Sequence, residues 1–462
     1  MRGMSHARWG TAVSLSLLLA ISGVAATVVT GGGAAADRGA SVVLAAASSV
    51  QPPSSPVGAQ LAWLLGSTAN LPLPASEIAT HFDTTFLSQA APAEINSVLA
   101  GLGPAGAMRL LGLTDVEPTS LRATVELGPS RYNLALSVDP SGLIEGLLVT
   151  PVSDTPASWA ELDHQLAASA PHVSFLAARV EPGGACRSVN AISAATPRPL
   201  GSMFKLFVLG ALANAVRTHR VSWNQTVTVT AGIKVAGSGD LQNDPDGTAL
   251  TVEQAAIDMI SISDNTAADL LLNLVGRAAV ERQVRAWSSH PALDIPFLTV
   301  SELFALKCDD FPKLADYFLR LGPAGRAAYL RTTVDAVTPA QEVAASAPRD
   351  VNSIEWFASA DDICRAFVGL AELQREPGLG PIATILSTNN GGIDLASTTW
   401  PRVWFKGGSE SGVLTLGYLA TDTQGETFVV VALTEDPTAA FNEQLAAVRL
   451  LAVVAGGFDL AR

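Results

Sequence analysis

Ser202-Met203-Phe204-Lys205-Leu206-Phe207-Val208-Leu209-Gly210-Ala211-Leu212 is the stretch on which the reading of this chain turns. Apart from one serine and one lysine it is apolar all round, so it predicts a buried helix running to about Val216. Residues three apart share a helix face, which sets the Lys205 amine beside the Ser202 hydroxyl. A lysine in so apolar a helix is costly unless something there needs an amine. Two further short motifs follow in order, Ser263-Asp264-Asn265 and Lys406-Gly407-Gly408-Ser409.

The N-terminus of a helix carries partial positive charge and free N–H groups. That favours an oxyanion at Ser202 and pushes the Lys205 pKa down, and burial pushes it further. A neutral amine can take the serine proton, which makes the serine a nucleophile without a histidine. The chain has only five lysines, at 205, 234, 307, 313 and 406, and all its other basic side chains are arginine. Two of the five sit in these motifs, where an amine that can lose its proton or act as a point charge is needed; arginine cannot do the first. Each motif also has a plain structural reading. These are a cap serine with a snorkelling lysine, an Asp or Asn cap between helices over 252–262 and 266–275, and a hairpin turn with a stray lysine. The ordered recurrence of all three outweighs those readings.

The set resembles the S-x-x-K, S-D-N and K-T-G motifs of serine β-lactamases and penicillin-binding proteins. The likeness extends through Thr251-Val-Glu-Gln and Ile260-Ser-Ile-Ser-Asp-Asn-Thr-Ala-Ala-Asp-Leu-Leu272, and covers roughly residues 156–462. It implies that Ser202 is the nucleophile, Lys205 its base, Ser263 a proton shuttle held by Lys406, and Asn265 a holder of the substrate amide. It also implies an oxyanion hole made by the backbone N–H groups of Ser202 and Ser409, with Gly408 and Ser409 in the substrate-binding strand. The chemistry needs neither metal nor cofactor. Gly237-Ser-Gly-Asp-Leu-Gln242 resembles a loop of the class-A-like serine hydrolases and is expected to face the cleft opposite Ser263.

Three departures qualify the likeness. Gly407 replaces Thr or Ser, which removes a hydroxyl for a substrate carboxylate; Ser409 and Ser411 are the candidate replacements. The strand expected at 413–422 has no arginine to bind a carboxylate. Glu302 lies where a loop glutamate would activate the deacylating water, but Thr299 and Glu302 match a capping box instead. Acylation is therefore legible and deacylation is not. The expected function is an exported serine hydrolase acting through an acyl-enzyme on an ester, a cell-wall-related amide or a β-lactam. The rivals are a class A β-lactamase using Glu302 and a penicillin-binding or sensor protein without turnover.

Around this domain the chain reads in segments. Residues 1–30 carry Arg2, His6 and Arg8 ahead of an apolar run and small-residue sites, the pattern of an export signal or an uncleaved membrane anchor. Residues 31–58, rich in Ala, Gly, Ser and Pro, read as a tether. Residues 59–153 read as a small α+β domain, with helices over 76–88 and 92–102 and strands over 121–127, 131–138 and 143–150. That order resembles cystatin and ketosteroid-isomerase folds. With the second domain it resembles the two-domain β-lactamase-like proteins associated with clavulanic acid biosynthesis. The expected fold class of residues 156–462 is α/β (α+β) and β-lactamase-like, with an antiparallel sheet flanked by helices plus a helical subdomain.

The 462 residues are 48% hydrophobic and carry a formal net charge of −14. The acidic balance argues against nucleic acid as a partner and leaves a small-molecule or cell-wall-related substrate. The six histidines show no metal-ligand spacing. Three cysteines, at 186, 308 and 364, allow one disulfide in an oxidising compartment, with the pair left open.

Overall fold

The computed structural model describes residues 50–337 and 347–462; the segment expected as an export signal or membrane anchor and most of the expected tether lie outside them. The described chain divides after Ser153 into two units.

The first unit opens with α1 (Pro56–Ser67), α2 (Ala75–His81), α3 (Thr84–Gln89) and α4 (Pro92–Gly101). Strands β1 (Arg109–Thr114), β2 (Ser120–Leu127), β3 (Ser130–Val138) and β4 (Ile144–Val152) follow as an antiparallel meander in sequence order. Inward residues of the strands, such as Val125, Leu134 and Ile144, meet Leu61, Ile78 and Phe86 of the helices in one core. Three local features differ from the sequence reading. Helix α1 begins inside the stretch expected as tether, with Ser55 accepting the Gly58 N–H at 3.2 Å and Pro56 in the first turn. The helix expected over 76–88 is broken at Phe82–Asp83, where Asp83 N–H bonds the Ile144 carbonyl and the Asp83 carboxylate caps α3 at Phe86 N–H, 2.6 Å away. The strand β1 was not expected at all.

The second unit runs α5 (Trp159–Ala167), β5 (His172–Val180) and β6 (Cys186–Ile192), then the short β7 (Arg198–Pro199) and α6 (Lys205–Arg217). Short strands β8 (Thr226–Thr228) and β9 (Ala249–Thr251) pair with each other ahead of α7 (Val252–Ser261), α8 (Asn265–Val275) and α9 (Arg277–Trp287). Then come α10 (Val300–Cys308), α11 (Lys313–Leu319), α12 (Pro323–Thr332), β10 (Phe357–Ala358), which pairs with β7, α13 (Ala360–Gln374) and α14 (Pro381–Ser387). Strands β11 (Arg402–Glu410), β12 (Val413–Thr421) and β13 (Thr427–Glu435) and helix α15 (Glu443–Ala461) close the unit.

The five-stranded sheet has the order β11-β12-β13-β5-β6, antiparallel throughout, so strands from both ends of the unit meet at β13 and β5. One face packs on α5 and α15 through Phe175, Tyr418 and Phe458; the other packs on α6 and α13 through Leu176, Phe207 and Phe367. The three central strands are buried on both faces, which explains their near-continuous apolar runs. This is the β-lactamase-like arrangement expected, with a helical block between the two halves of the sheet. Among the described residues no helix is long and apolar enough to cross a membrane.

Cys186 on β6 and Cys364 on α13 form a disulfide, and Cys308 is free. Thiol titration of the denatured protein is expected to find one reactive thiol before reduction and three after. Replacing Cys186 and Cys364 together by serine should lower stability by about 2–4 kcal/mol, read from denaturant unfolding.

Candidate active site

Leu200 to Phe204 does not continue α6 backward as α-helix. Gly201–Phe204 is a single 3-10 turn, and α6 proper starts at Lys205. Gly201 has φ +50°, and a Cβ there would lie 2.8 Å from the Ser409 nitrogen, so the turn demands glycine. Ser202 is half-buried at the mouth of this turn, whereas Lys205 is fully buried.

The Lys205 amine lies 3.2 Å from Ser202 Oγ, 3.1 Å from Ser263 Oγ and 2.8 Å from Asn265 Oδ1, and also bonds the Ser263 carbonyl. Two of these four oxygens, the carbonyl and the amide oxygen, can only accept. A neutral amine has two hydrogens, one for each of them, and one lone pair, left for a hydroxyl. Burial pushes the Lys205 pKa down to about 7, against the pull of Asp264 and Asp269.

Ser263 sits between α7 and α8 with φ +58°, a conformation that non-glycine residues rarely adopt. Asp264 holds it there. One Asp264 oxygen caps α8 at Ala267 N–H (2.7 Å); the other accepts from Asp240 N–H (2.7 Å) and Leu241 N–H (2.9 Å). Gly239 packs against that carboxylate with no room for a Cβ. The Gly237–Gln242 loop therefore backs onto Asp264 and Asn265, whose N–H donates to Ser238 O at 3.0 Å. Asn265 spends one amide hydrogen on Ala236 O (2.9 Å) and keeps a second.

Lys406 reaches Ser263 Oγ from the other side, at 2.9 Å, and donates to Gly407 O at 2.8 Å. Its pKa is pushed well below that of a free lysine, first by burial and then by Lys205. Two buried amines share one hydroxyl, so their charges oppose each other and the pair resists being doubly protonated. Gly408 lies against the turn: a Cβ on it would be 2.6 Å from the Ser202 nitrogen. The two glycines thus let the backbone at 201–202 and the backbone at 408–409 lie against each other. Thr415 Oγ1 stands by Leu200 O (2.7 Å) and Gly408 O (3.2 Å), tying turn to strand.

Residues 166–309 match the beta-lactamase enzyme family. Over those residues the chain resembles the serine β-lactamase and penicillin-binding-protein superfamily. Residues 52–144 match a second family, described as the N-terminal part of an ORF 12 gene product. Among solved structures, the chain is similar to a β-lactamase from Sphaerobacter thermophilus, with 21% identity and TM-score 0.45 over 65% of this chain and 98% of that one. It is similar to a β-lactamase from Chitinophaga pinensis, with 16% identity and TM-score 0.45 over 65% and 97% of the two chains. A third is the penicillin-binding protein PBP-A, with 14% identity and TM-score 0.43 over 67% and 99%. No curated protein matches the chain in sequence.

Within this β-lactamase-like domain the departures noted in the sequence acquire physical reasons. A Cβ at 407 would lie 3.0 Å from both the Phe405 ring and the Thr415 carbonyl, so a side chain there would crowd both. Ser409 is exposed on the same strand, while Ser411 Oγ is buried without a hydrogen-bond partner. Glu302 is committed elsewhere. Its carboxylate accepts from Thr299 N–H (2.8 Å) and from the Arg277 guanidinium (2.6 Å), as the capping-box reading requires. Asp269, whose role the sequence did not reveal, fixes the start of α10 by accepting from Val300 and Ser301 N–H, at 2.7 and 2.9 Å. Thr415 and Phe405 were also missed: Thr415 reaches Leu200, far off in sequence, and no local pattern marks the Phe405 ring as lying beside Gly407.

Glu302→Gln is expected to lower stability by about 1–3 kcal/mol in denaturant unfolding, through loss of the charged partner of Arg277. It should leave the lifetime of any Ser202 adduct within about threefold of wild type.

Proposed function

We propose that this protein is an exported serine hydrolase that forms an acyl-enzyme at Ser202 with an ester or amide, β-lactams and cell-wall-related amides included. The observation that carries the reading is the hydrogen-bond accounting at Lys205: two acceptor-only oxygens take the hydrogens of a neutral amine, and its lone pair is left for a hydroxyl. The amine takes the Ser202 proton as Oγ bonds to the carbonyl carbon, and the carbonyl π pair moves onto oxygen. The Ser202 and Ser409 N–H groups stabilise that oxyanion. The proton then passes from Lys205 to Ser263 Oγ, 3.1 Å away, as Ser263 gives its own proton to the leaving group and the C–O or C–N bond breaks. Lys406 holds Ser263 in place for this transfer. The second amide hydrogen of Asn265 serves the substrate, and Gly408 and Ser409 line its path.

Hydrolysis of the acyl-enzyme needs a base for water, and Glu302 is held by Thr299 and Arg277. That favours a long-lived adduct and slow turnover, as in a weak hydrolase or a sensor, over a class A β-lactamase using Glu302. Export rests on the first thirty residues of the sequence, which serve as a signal or a tether.

The test is intact mass after incubation with a penicillin and, separately, with a nitrophenyl ester, on wild type and Ser202→Ala. An adduct or turnover that vanishes in the variant is expected; neither with either compound would overturn the reading. The acylation rate should rise about tenfold per pH unit below about 7 and level off between about pH 7 and about pH 8. The sign follows from the lowered pKa: below it Lys205 holds a proton and has no lone pair, above it the amine is free. Lys205→Arg should lose roughly 100- to 10,000-fold at every pH, since arginine stays charged.

A further inference from the structure

Glu355, Glu410 and Lys307 form a charged cluster that no step above uses. Glu355 and Lys307 are 5% and 4% exposed, and the Glu410 side chain is partly exposed. The Lys307 amine lies 2.6 and 2.8 Å from the two Glu410 oxygens. Glu355 Oε2 accepts from Gly201 N–H at 3.2 Å and from Trp356 N–H at 2.8 Å, and the Glu355 and Glu410 side chains are hydrogen-bonded to each other.

Carboxylates only accept, so a hydrogen bond between two of them requires a shared proton. Its place follows from the other partners. Glu410 turns both oxygens toward an ammonium, which favours its charged form. Glu355 faces only backbone N–H groups, through one oxygen, and its other oxygen is left to carry the proton. Burial first and Glu410 second push the Glu355 pKa up to about 8, against Lys307 and the two N–H groups.

The position of the pair gives it a bearing on catalysis. Glu355 grips the N–H of the residue before Ser202. Glu410 is the residue after Ser409. The bridge therefore joins the two backbone segments that carry the two oxyanion-hole N–H groups. We propose that Glu355 and Glu410 are positioning residues whose shared proton holds the two sides of the oxyanion hole together. When Glu355 loses that proton, two carboxylates face each other at hydrogen-bond distance and the two sides are driven apart. Among the described residues, Lys307 from α10 is the cation hydrogen-bonded to the pair. Beyond it lie Cys308, whose thiol feels Glu410, and Arg349, whose guanidinium bonds the Lys307 carbonyl at 2.8 Å. This inference rests on Ser202 being acylated.

Glu355→Gln is the informative variant. Its amide oxygen can accept from the same two N–H groups, and its NH2 can donate to Glu410 with a hydrogen that cannot titrate away. The acylation rate of wild type, measured with a penicillin or a nitrophenyl ester from about pH 6 to about pH 10, is expected to fall about tenfold or more between about pH 8 and about pH 9.5. In Glu355→Gln, normalised to its own neutral rate, that fall should vanish. Glu355→Ala should be slower by about 10- to 100-fold across the range, and rescued in part by Gln. A wild-type profile without the alkaline fall, or a fall that persists in Glu355→Gln, overturns the proposal. Titration of 13C-carboxyl-labelled glutamates by NMR on the full chain reads the same proton without any acylation. The resonance absent from Glu355→Gln should titrate above neutrality, and titration in the ordinary carboxylate range would overturn the shared proton. Failure of wild type to acylate at all, with that resonance still titrating high, would count against the proposed function and against any role of the bridge in it.

Discussion

The buried amine of Lys205 is the constraint around which the second unit is arranged. Taking an amine out of water inside an apolar helix is unfavourable unless every hydrogen finds an acceptor. Those acceptors come from the turn at Ser263 and from Asn265, both at the start of α8. The strained backbone of Ser263, the Asp264 cap and the folded-back loop at 237–242 follow from the need to aim those oxygens at one point. The helical block positions them, and the sheet brings Lys406 to the far side of the Ser263 hydroxyl. Lowering the pKa of one amine and sharing a hydroxyl with another are consequences of the same crowding.

A second constraint is closeness of backbone to backbone. The edge strand β11 meets the 3-10 turn before α6 at distances that no side chain on 201 or 408 would permit. Glycine at these positions reflects the approach itself, and its permissive φ is needed only at 201. Polar side chains then fasten the contact from both flanks: Thr415 on the carbonyl side and Glu355 on the N–H side of the turn.

The parts legible in the sequence were those with a local signature. The apolar helix after Ser202, the helices on either side of 263–265, the three closing strands and the Thr299–Glu302 capping box all show in short windows. The motif order placed Lys205, Ser263 and Lys406 in a single reading because the amine-rich chemistry has few spacings. What the windows could not contain is long-range pairing. Glu355 acts on Gly201 and Glu410 on Glu355 across different elements, and each looks alone like an ordinary acidic residue. Helix α1 escaped notice because its first residues, Pro, Val, Gly and Ala, share the composition of the tether before it. The break at Phe82 escaped because its cause, the Ile144 carbonyl, lies in a strand far along the chain.

Strand β11 is the outermost strand of its sheet, and its outer row of N–H and C=O groups must stay unpaired if a substrate carbonyl is to reach Ser409. An open edge of this kind is also a template on which another chain can add a strand and start aggregation. Charged side chains that point inward from an edge strand are one of the means by which proteins prevent such pairing. Lys406 and Glu410 are charged side chains on one face of β11, each tied to partners within the domain. The residues proposed to prepare this edge for an acyl group would thereby also guard it against a neighbouring molecule.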